Sequence, residues 1–277
     1  MLKTLKNLRN QVDFFLRKNI RLKRKYTGKN EPKDNLPEKE KFYLEKYNLY
    51  ALKENSTRRN YLENLATIEL LESCLYVTPT PFPPPSREGD SKIAGGEAPR
   101  TPDNNIVKIL DIGSKNWFYA CGEWSFFKYS NGEKEIFLDG IEIDAFRVYL
   151  DFHTRWDYAQ FYIKNLSNSR YLAKDFLKHY EKYDYIIWFF PFVTEFPLQE
   201  WGLPLSTFKP LEMLQHAYDS LNDGGKILIV NQDEKEYSIQ EDLLKKLNLP
   251  YEKKGDFKNS FLEYEHKRFV TVVQKPQ

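Results

Sequence analysis

From Ile106 to the C-terminus, short apolar runs alternate with helical stretches, and this alternation constrains the fold more than any other feature of the 277-residue chain. Such spacing is that of βαβ units feeding a parallel sheet. Ile106 to Ile112 (IVKILDI) reads as a buried strand, followed by the turn Gly113-Ser114-Lys115-Asn116 and a partly helical segment from Trp117 to Tyr129. Ile136 to Ile143 reads as a second strand, with Asp144 placed to cap a helix from Ala145 to about Leu166. Further strands are expected at Tyr171 to Lys174, Tyr185 to Phe190 and Lys226 to Val230, the last preceded by a helix from Pro210 to Leu221 and the turn Asn222-Asp223-Gly224-Gly225. Ile239 to Leu247 reads as a helix. Runs around Phe261 to Tyr264 and Arg268 to Val273 are close enough to form an antiparallel end to the sheet.

Composition supports a chain that folds: 41% of residues are hydrophobic, with 20 Phe, 19 Tyr and 5 Trp available for a core. The longest apolar run, Ile186 to Val193, falls well short of the roughly 18–20 residues a membrane span needs, and Lys3, Lys6 and Arg9 interrupt any signal-peptide core. Cys74 and Cys121 supply neither a disulfide framework nor a zinc site. A cytoplasmic protein is the expectation.

The N-terminal part reads differently. Residues 1–76 carry 17 Lys/Arg against 10 Asp/Glu, a balance of +7, and the remainder 25 against 30, a balance of −5. Within residues 1–26 the only acid is Asp13, and nine cations alternate with Leu2, Leu5, Leu8, Val12, Phe15, Leu16 and Ile20 in the pattern of a basic amphipathic helix. Such a helix can lie on an anionic membrane or on nucleic acid, or it can cover the main domain with its apolar face while its charged face is solvated; the last is preferred here. Helices are expected from Glu38 to Glu54 and, capped by Ser56 or Thr57, along the stripe Leu62, Leu65, Ile68, Leu71 and Leu75. Residues 78–105 hold seven of the 15 prolines and read as a disordered linker or surface insertion. The expected organisation is therefore a helical region over 1–77, that linker, and an α/β domain over 106–277.

Taken in order, Ile109-Leu110-Asp111-Ile112-Gly113, Gly140-Ile141-Glu142-Ile143-Asp144, Asp175-Phe176, Tyr183-Asp184-Tyr185-Ile186-Ile187 and Leu221-Asn222-Asp223-Gly224-Gly225-Lys226-Ile227-Leu228-Ile229 resemble the Rossmann-like, class I S-adenosylmethionine-dependent methyltransferases. The resemblance covers about residues 60–275. It implies a seven-stranded, mostly parallel sheet with helices on both faces, beside the N-terminal helical region, and a methyl-transferring enzyme using S-adenosylmethionine. By resemblance, Gly113 and Ser114 form the first turn and Asp111 lies near the methionine end. Glu142 would accept from the ribose diol and Asp175 from the adenine amino group, while Ile143, Phe176 and Phe190 would border the cofactor. The physical grounds agree: ligands of open α/β sheets sit beyond the carboxyl ends of the strands, where a tight turn and a helix N-terminus approach them.

Two departures stand out. The family continues the first turn as Gly-x-Gly-x-Gly, whereas Lys115 and Trp117 stand at the second and third glycine positions here. Either the turn takes another path, with Asn116 left-handed, or the cofactor site is altered or lost. At the fourth strand, Phe189-Phe190-Pro191-Phe192 lacks the polar clamp of enzymes that methylate exocyclic amines of nucleic acids, so a nucleic-acid acceptor is not favoured and a small or aromatic one is expected. The loop from Pro191 to Lys209 is suited to walling such an acceptor or to forming a lid under the N-terminal helices. In-line transfer from a sulfonium needs chiefly proximity, so a base is optional; His153 and Asn231 are the candidates, with Gln232, Glu195 and Glu200 on the same rim. No metal site is expected. The alternative is a catalytically silent scaffold that binds RNA or a protein through the basic helix. A nicotinamide-dependent oxidoreductase is weakened by the missing Gly-x-Gly-x-x-Gly.

Overall fold

The computed structural model describes residues 2–75 and 105–277; the proline-rich stretch read as a linker lies, but for Asn105, outside the described residues. Seven strands form one sheet: β1 (Ile106–Ile112), β2 (Glu135–Ile141), β3 (Ser169–Leu172), β4 (Tyr183–Phe189), β5 (Leu221–Asn231), β6 (Tyr251–Asp256) and β7 (Phe269–Gln274). They are ordered β3-β2-β1-β4-β5-β7-β6, all parallel except β7, which pairs antiparallel with β5 and β6. The direction of winding reverses between β1 and β4, and a ligand crevice is expected there.

The central strands are apolar on both faces because both are covered. Ile109 belongs to a core shared with α4 (Arg58–Leu75), α5 (Ala120–Ser130) and α6 (Arg155–Ile163), whereas Leu110 belongs to a second core beneath α8 (Pro210–Asp219) and α9 (Glu234–Lys246). The first core also takes in Tyr43 and Leu44 of α2 (Glu38–Lys46) and Leu52 of α3 (Tyr50–Glu54), so these helices pack against the sheet domain. Buried Asn64 fastens α4 to α5: its Oδ1 accepts the Gly122 N–H at 2.7 Å and its amide donates to Phe118 O at 2.9 Å.

Several boundaries differ from expectation. The helix expected over 38–54 divides at Asn48, which takes a left-handed φ of 48°. Asp144 caps no helix; residues 147–154 fold back on themselves, and α6 starts at Arg155 under a capping box in which Thr154 Oγ1 accepts from Asp157 N. The first strand of the terminal pair is β6, not the run at Phe261 to Tyr264. β6 is a polar edge strand without an apolar run to announce it, and Phe261 and Tyr264 instead reach α2 and α4, with the Phe261 ring against Tyr43 and the Tyr264 hydroxyl donating to Glu63.

The largest correction concerns α1 (Leu2–Ile20), which ends where Arg21 turns left-handed and sits the other way round from the expected arrangement. Its polar side faces the protein. Asn10 donates to Gln199 O and Leu203 O, Asn7 accepts from Leu205 N, and Arg17 grips both oxygens of Asp144 at 2.7 and 3.2 Å. Its apolar stripe is left in solvent.

Removing the Asn64 amide orphans the Phe118 carbonyl in a buried interface, while the Gly122 N–H keeps the Tyr119 carbonyl at 3.0 Å. Asn64→Ala is expected to cost about 1–3 kcal/mol for the group left unpaired, read as a lower urea midpoint at unchanged m-value.

Candidate functional site

At the carboxyl ends of β1, β2, β4 and β5, over the winding reversal, lies a cavity of 850 Å³. Gly113, Lys115, Glu142, Ile143, Asp175 and Phe176 border one end, and Phe190, Pro191, Phe192, Trp201, Phe208 and Tyr264 are among those bordering the rest. Of the residues expected at a cofactor site, Gly113, Glu142, Ile143, Asp175, Phe176 and Phe190 therefore share one cavity wall. Asp111 and Ser114 lie fully buried behind the turn instead of on the wall.

The turn after β1 shows how the glycine pattern is replaced. Gly113, Lys115 and Trp117 have φ values of 73°, 56° and 50°, so every second residue is left-handed. These are the positions of the Gly-x-Gly-x-Gly pattern. The backbone is left-handed at all three positions although the second and third carry Lys and Trp, and Asn116 is not a left-handed residue. Buried contacts offset the strain. Trp117 is completely buried beneath the turn, its indole N–H donating to Glu123 Oε2 at 2.9 Å. A Cβ on Gly140 of β2 would stand 2.8 Å from that ring, so glycine at this position makes room for it. Lys115 donates its N–H to Glu142 Oε2 at 3.1 Å, accepts from the Tyr171 hydroxyl, and lays its ammonium 4.4 Å from the centre of the Trp201 ring. Around Gly113 nothing lies within 4 Å of where a Cβ would stand, which leaves the backbone open to the cavity.

Glu142 is only 6% exposed and is held from three sides. Besides Lys115 N–H, it accepts Asp144 N–H on Oε1 at 2.7 Å, and Arg155 Nη1 stands 3.3 Å from the same oxygen. A carboxylate offers about four lone-pair directions. One is therefore left for a ligand, where a free strand-end acid would offer two or more. Asp175 caps the short turn at 176–178 through Oδ1, which accepts from Leu177 N. Burial holds the Lys115 ammonium below its usual range, and the neighbouring Arg155 adds to this.

Of the candidate bases, His153 lies outside the cavity in the 147–154 reversal, packed on Tyr26 and beside Asp151. Asn231, at the end of β5, is completely buried with neither side-chain amide atom hydrogen-bonded within the protein, and is absent from the cavity wall. Polar residues the sequence reading missed line the far side instead. Gln240 is 1% exposed with its Nε2 unpartnered, and Glu236, one helical turn earlier on α9, accepts from Gln232 Nε2 at 3.2 Å. Burial raises the Glu236 carboxyl against the pull of those Gln232 hydrogen bonds. The available signal was a glutamine on the buried stripe of α9 between Tyr237 and Leu244. Arg268 lies between the rings of Phe190 and Tyr264, 4.5 and 4.1 Å from their centres.

Among the described residues, Asp139, His179 and Glu181 bring three potential metal-ligand atoms within 4.8 Å of one another. Those of Asp139 and His179 are already engaged, Asp139 by Arg170 and the Tyr183 hydroxyl, His179 by that same hydroxyl and Lys174. This is a buried polar network with its own cations.

No protein-family model and no curated protein sequence matches the chain. Solved structures do. A protein classed as a class I S-adenosylmethionine-dependent methyltransferase from Listeria monocytogenes aligns over 78% of this chain and 60% of its own, with 11% identity and a TM-score of 0.49. TrmN from Thermus thermophilus aligns over 61% of this chain and 44% of its own (14% identity, TM-score 0.42), and a methyltransferase from Pyrococcus furiosus over 61% and 75% (21%, 0.42). The chain thus spans less than two thirds of the first two structures. No helix among the described residues is long and apolar enough to cross a membrane.

Behind the turn, burial pushes the Asp111 carboxyl up to about 8; the Tyr119 hydroxyl pulls the other way and the Glu142 charge adds to the rise. Glu123 is raised by burial and by Asp111. An unfolded aspartate titrates near pH ~4. Between about pH 4 and 8 the folded protein therefore binds the proton more tightly, and this group's contribution to stability falls as pH rises. Asp111→Asn should gain on the parent protein across that window, by at most about 1.4 kcal/mol per pH unit, in urea melts at a series of pH values; a pH-independent difference would show that Asp111 is already ionised. The strand order, the antiparallel β7 and the helices on both faces together give this chain a Rossmann-like fold with a seven-stranded, mostly parallel sheet.

Proposed function

We propose that the protein is an S-adenosylmethionine-dependent methyltransferase acting on a small, largely apolar or aromatic acceptor. The observation that carries this reading is the turn at 113–117, which keeps three alternate left-handed residues beside a buried carboxylate on the wall of a large cavity. A fold alone does not specify an activity; this local geometry does more, because the left-handed path persists where lysine and tryptophan make it costly. The residues fit the cofactor. Gly113 leaves its backbone open for close approach, Glu142 keeps one accepting direction for a ribose hydroxyl, and Asp175 has its Oδ2 free of protein donors for the adenine amino group. Ile143 and Phe176 supply the apolar flanks.

S-adenosylmethionine would supply an electrophilic methyl group on sulfonium, and the chain's own part is to position the acceptor and exclude water. Phe189, Phe190, Pro191, Phe192 and Phe208 form an apolar wall, and Gln240 and Glu236 offer polar anchors for an acceptor's hydroxyl or amine. Glu236, with its carboxyl raised by burial, can take a proton there. The segment over 191–209 walls the cavity on one side and holds α1 on the other through polar contacts, not as a hydrophobic lid.

Calorimetric titration with S-adenosylmethionine and S-adenosylhomocysteine tests this. Glu142→Ala should weaken both by about 1.5–3 kcal/mol through loss of a charged acceptor. It should also destabilise the fold by about 3–5 kcal/mol, because Arg155 stays behind as a buried unpaired charge. Adding Arg155→Met to Glu142→Ala should recover much of the stability and leave the affinity low. No binding to the parent protein would refute the reading.

A further inference from the structure

The apolar stripe of α1 has no partner among the described residues. Leu5, Leu8, Val12, Phe15, Leu16 and Ile20 are each 45–65% exposed on one side of the helix, while the opposite side is fixed to the protein by Asn7, Asn10 and Arg17. Amphipathic helices at a domain surface normally do the reverse. The polar seating is specific: Asn10 is 6% exposed and spends its amide on two backbone carbonyls, and Arg17 reaches an Asp144 carboxylate that is buried. The helix is thus held with its apolar side outward, and water meets a contiguous row of large side chains at a cost that a second surface would relieve.

The surroundings of the row define that surface. Arg9, Lys18 and Arg21 are exposed along or just beyond it, Lys23, Arg24 and Lys25 follow, and Asp13, already within 3.5 Å of Arg9, is the only acid among the first 26 residues. An apolar stripe bordered by cations, on a helix too polar to span a bilayer, matches an anionic lipid surface, where the side chains enter the acyl boundary and the cations meet headgroups. Nucleic acid would use the cations and leave the leucines in water.

We propose that α1 seats the protein on anionic membranes, with its apolar stripe inserted at the interface. The placement has a consequence for the cavity. α1 rests on Gln199 and Leu203, beside α7 (Glu195–Glu200), and Pro197, Leu198, Trp201 and Leu203 of this same segment line the cavity. One thin layer of protein thus separates the membrane-seated helix from the apolar chamber, which suits an acceptor that partitions into lipid. The membrane contact itself does not depend on methyl transfer.

Co-sedimentation of the full chain with phosphatidylcholine vesicles, with and without phosphatidylserine, tests the proposal. Binding is expected only to the anionic vesicles and should weaken on adding salt. Leu8→Glu with Phe15→Glu should lower the partition coefficient at least about tenfold, and Lys18→Glu with Arg21→Glu should abolish the preference for phosphatidylserine. All four positions are exposed, so unchanged thermal melts will show that these variants fold. Absence of anionic-vesicle binding overturns the proposal, as does binding that survives Leu8→Glu with Phe15→Glu. A dimer that these two substitutions dissolve, without vesicle binding, would assign the stripe to a second copy of the chain. Salt-sensitive binding to RNA that they leave intact, again without vesicle binding, would assign the cations to nucleic acid.

Discussion

The carboxylate of Glu142 holds the ligand side of this fold together. It receives an N–H from the turn after β1, an N–H from the chain leaving β2, and the guanidinium of Arg155 at the start of α6. The turn after β1, the chain leaving β2 and the start of α6 are thereby fixed to one buried charge. Taking a carboxylate out of water is expensive unless its lone pairs are filled, and here three of about four directions are used by protein donors. The arrangement is preorganised: protein donors hold the carboxylate in place on the cavity wall.

The turn itself exchanges conformational ease for burial. A non-glycine residue in the left-handed region costs about 1–2 kcal/mol, and Lys115 and Trp117 both accept that cost. Trp117 recovers it by burying its whole ring against Gly140 and by its hydrogen bond to Glu123, and Lys115 by its backbone bonds and its stack on Trp201. The side chains that appear from sequence to obstruct the cofactor turn are removed from it in opposite directions. One goes below the backbone and the other across the cavity rim. What looks like erosion of a glycine motif is a substitution whose strain is supported by packing on both sides.

How far this was legible depended on which physical quantity carried the signal. β1 matched its expected bounds residue for residue, because a strand covered on both faces is mostly apolar and five of the seven residues of IVKILDI are aliphatic. That Glu142 and Asp175 share one cavity wall was legible by order and position. β6 was not, because an edge strand needs no apolar run, and the run at Phe261 to Tyr264 that imitated a strand was satisfied by α2 and α4. The start of α6 was written in Thr154-x-x-Asp157, but Asp144 also fits an N-cap; only the reach of Arg17 and Arg147 to its carboxylate decides against it. His153 stands outside the cavity, in the segment over 147–154 that folds back on itself.

α1 exposes a different limit. Periodicity shows that a helix has an apolar side and a polar side, and the hydrophobic effect, which is non-directional, makes inward burial of the apolar side the ordinary outcome. It does not determine which side the rest of the chain can bind. Here the receiving surface offers carbonyls at Gln199 and Leu203, the N–H of Leu205 and the carboxylate of Asp144, a set that the amides of Asn7 and Asn10 and the guanidinium of Arg17 satisfy. Asn7, Asn10 and Arg17 lie three and seven residues apart, one polar stripe that matches that set, while the leucines have no apolar recess to enter on that surface. Complementarity between specific donors and acceptors therefore overrode the general preference, because an unpaired buried carbonyl or carboxylate costs as much as several exposed methylenes. The orientation of the helix, and with it the character of the outer surface above the cavity, follows from four acceptor and donor positions that lie nearly two hundred residues away, or in the case of Asp144 more than a hundred.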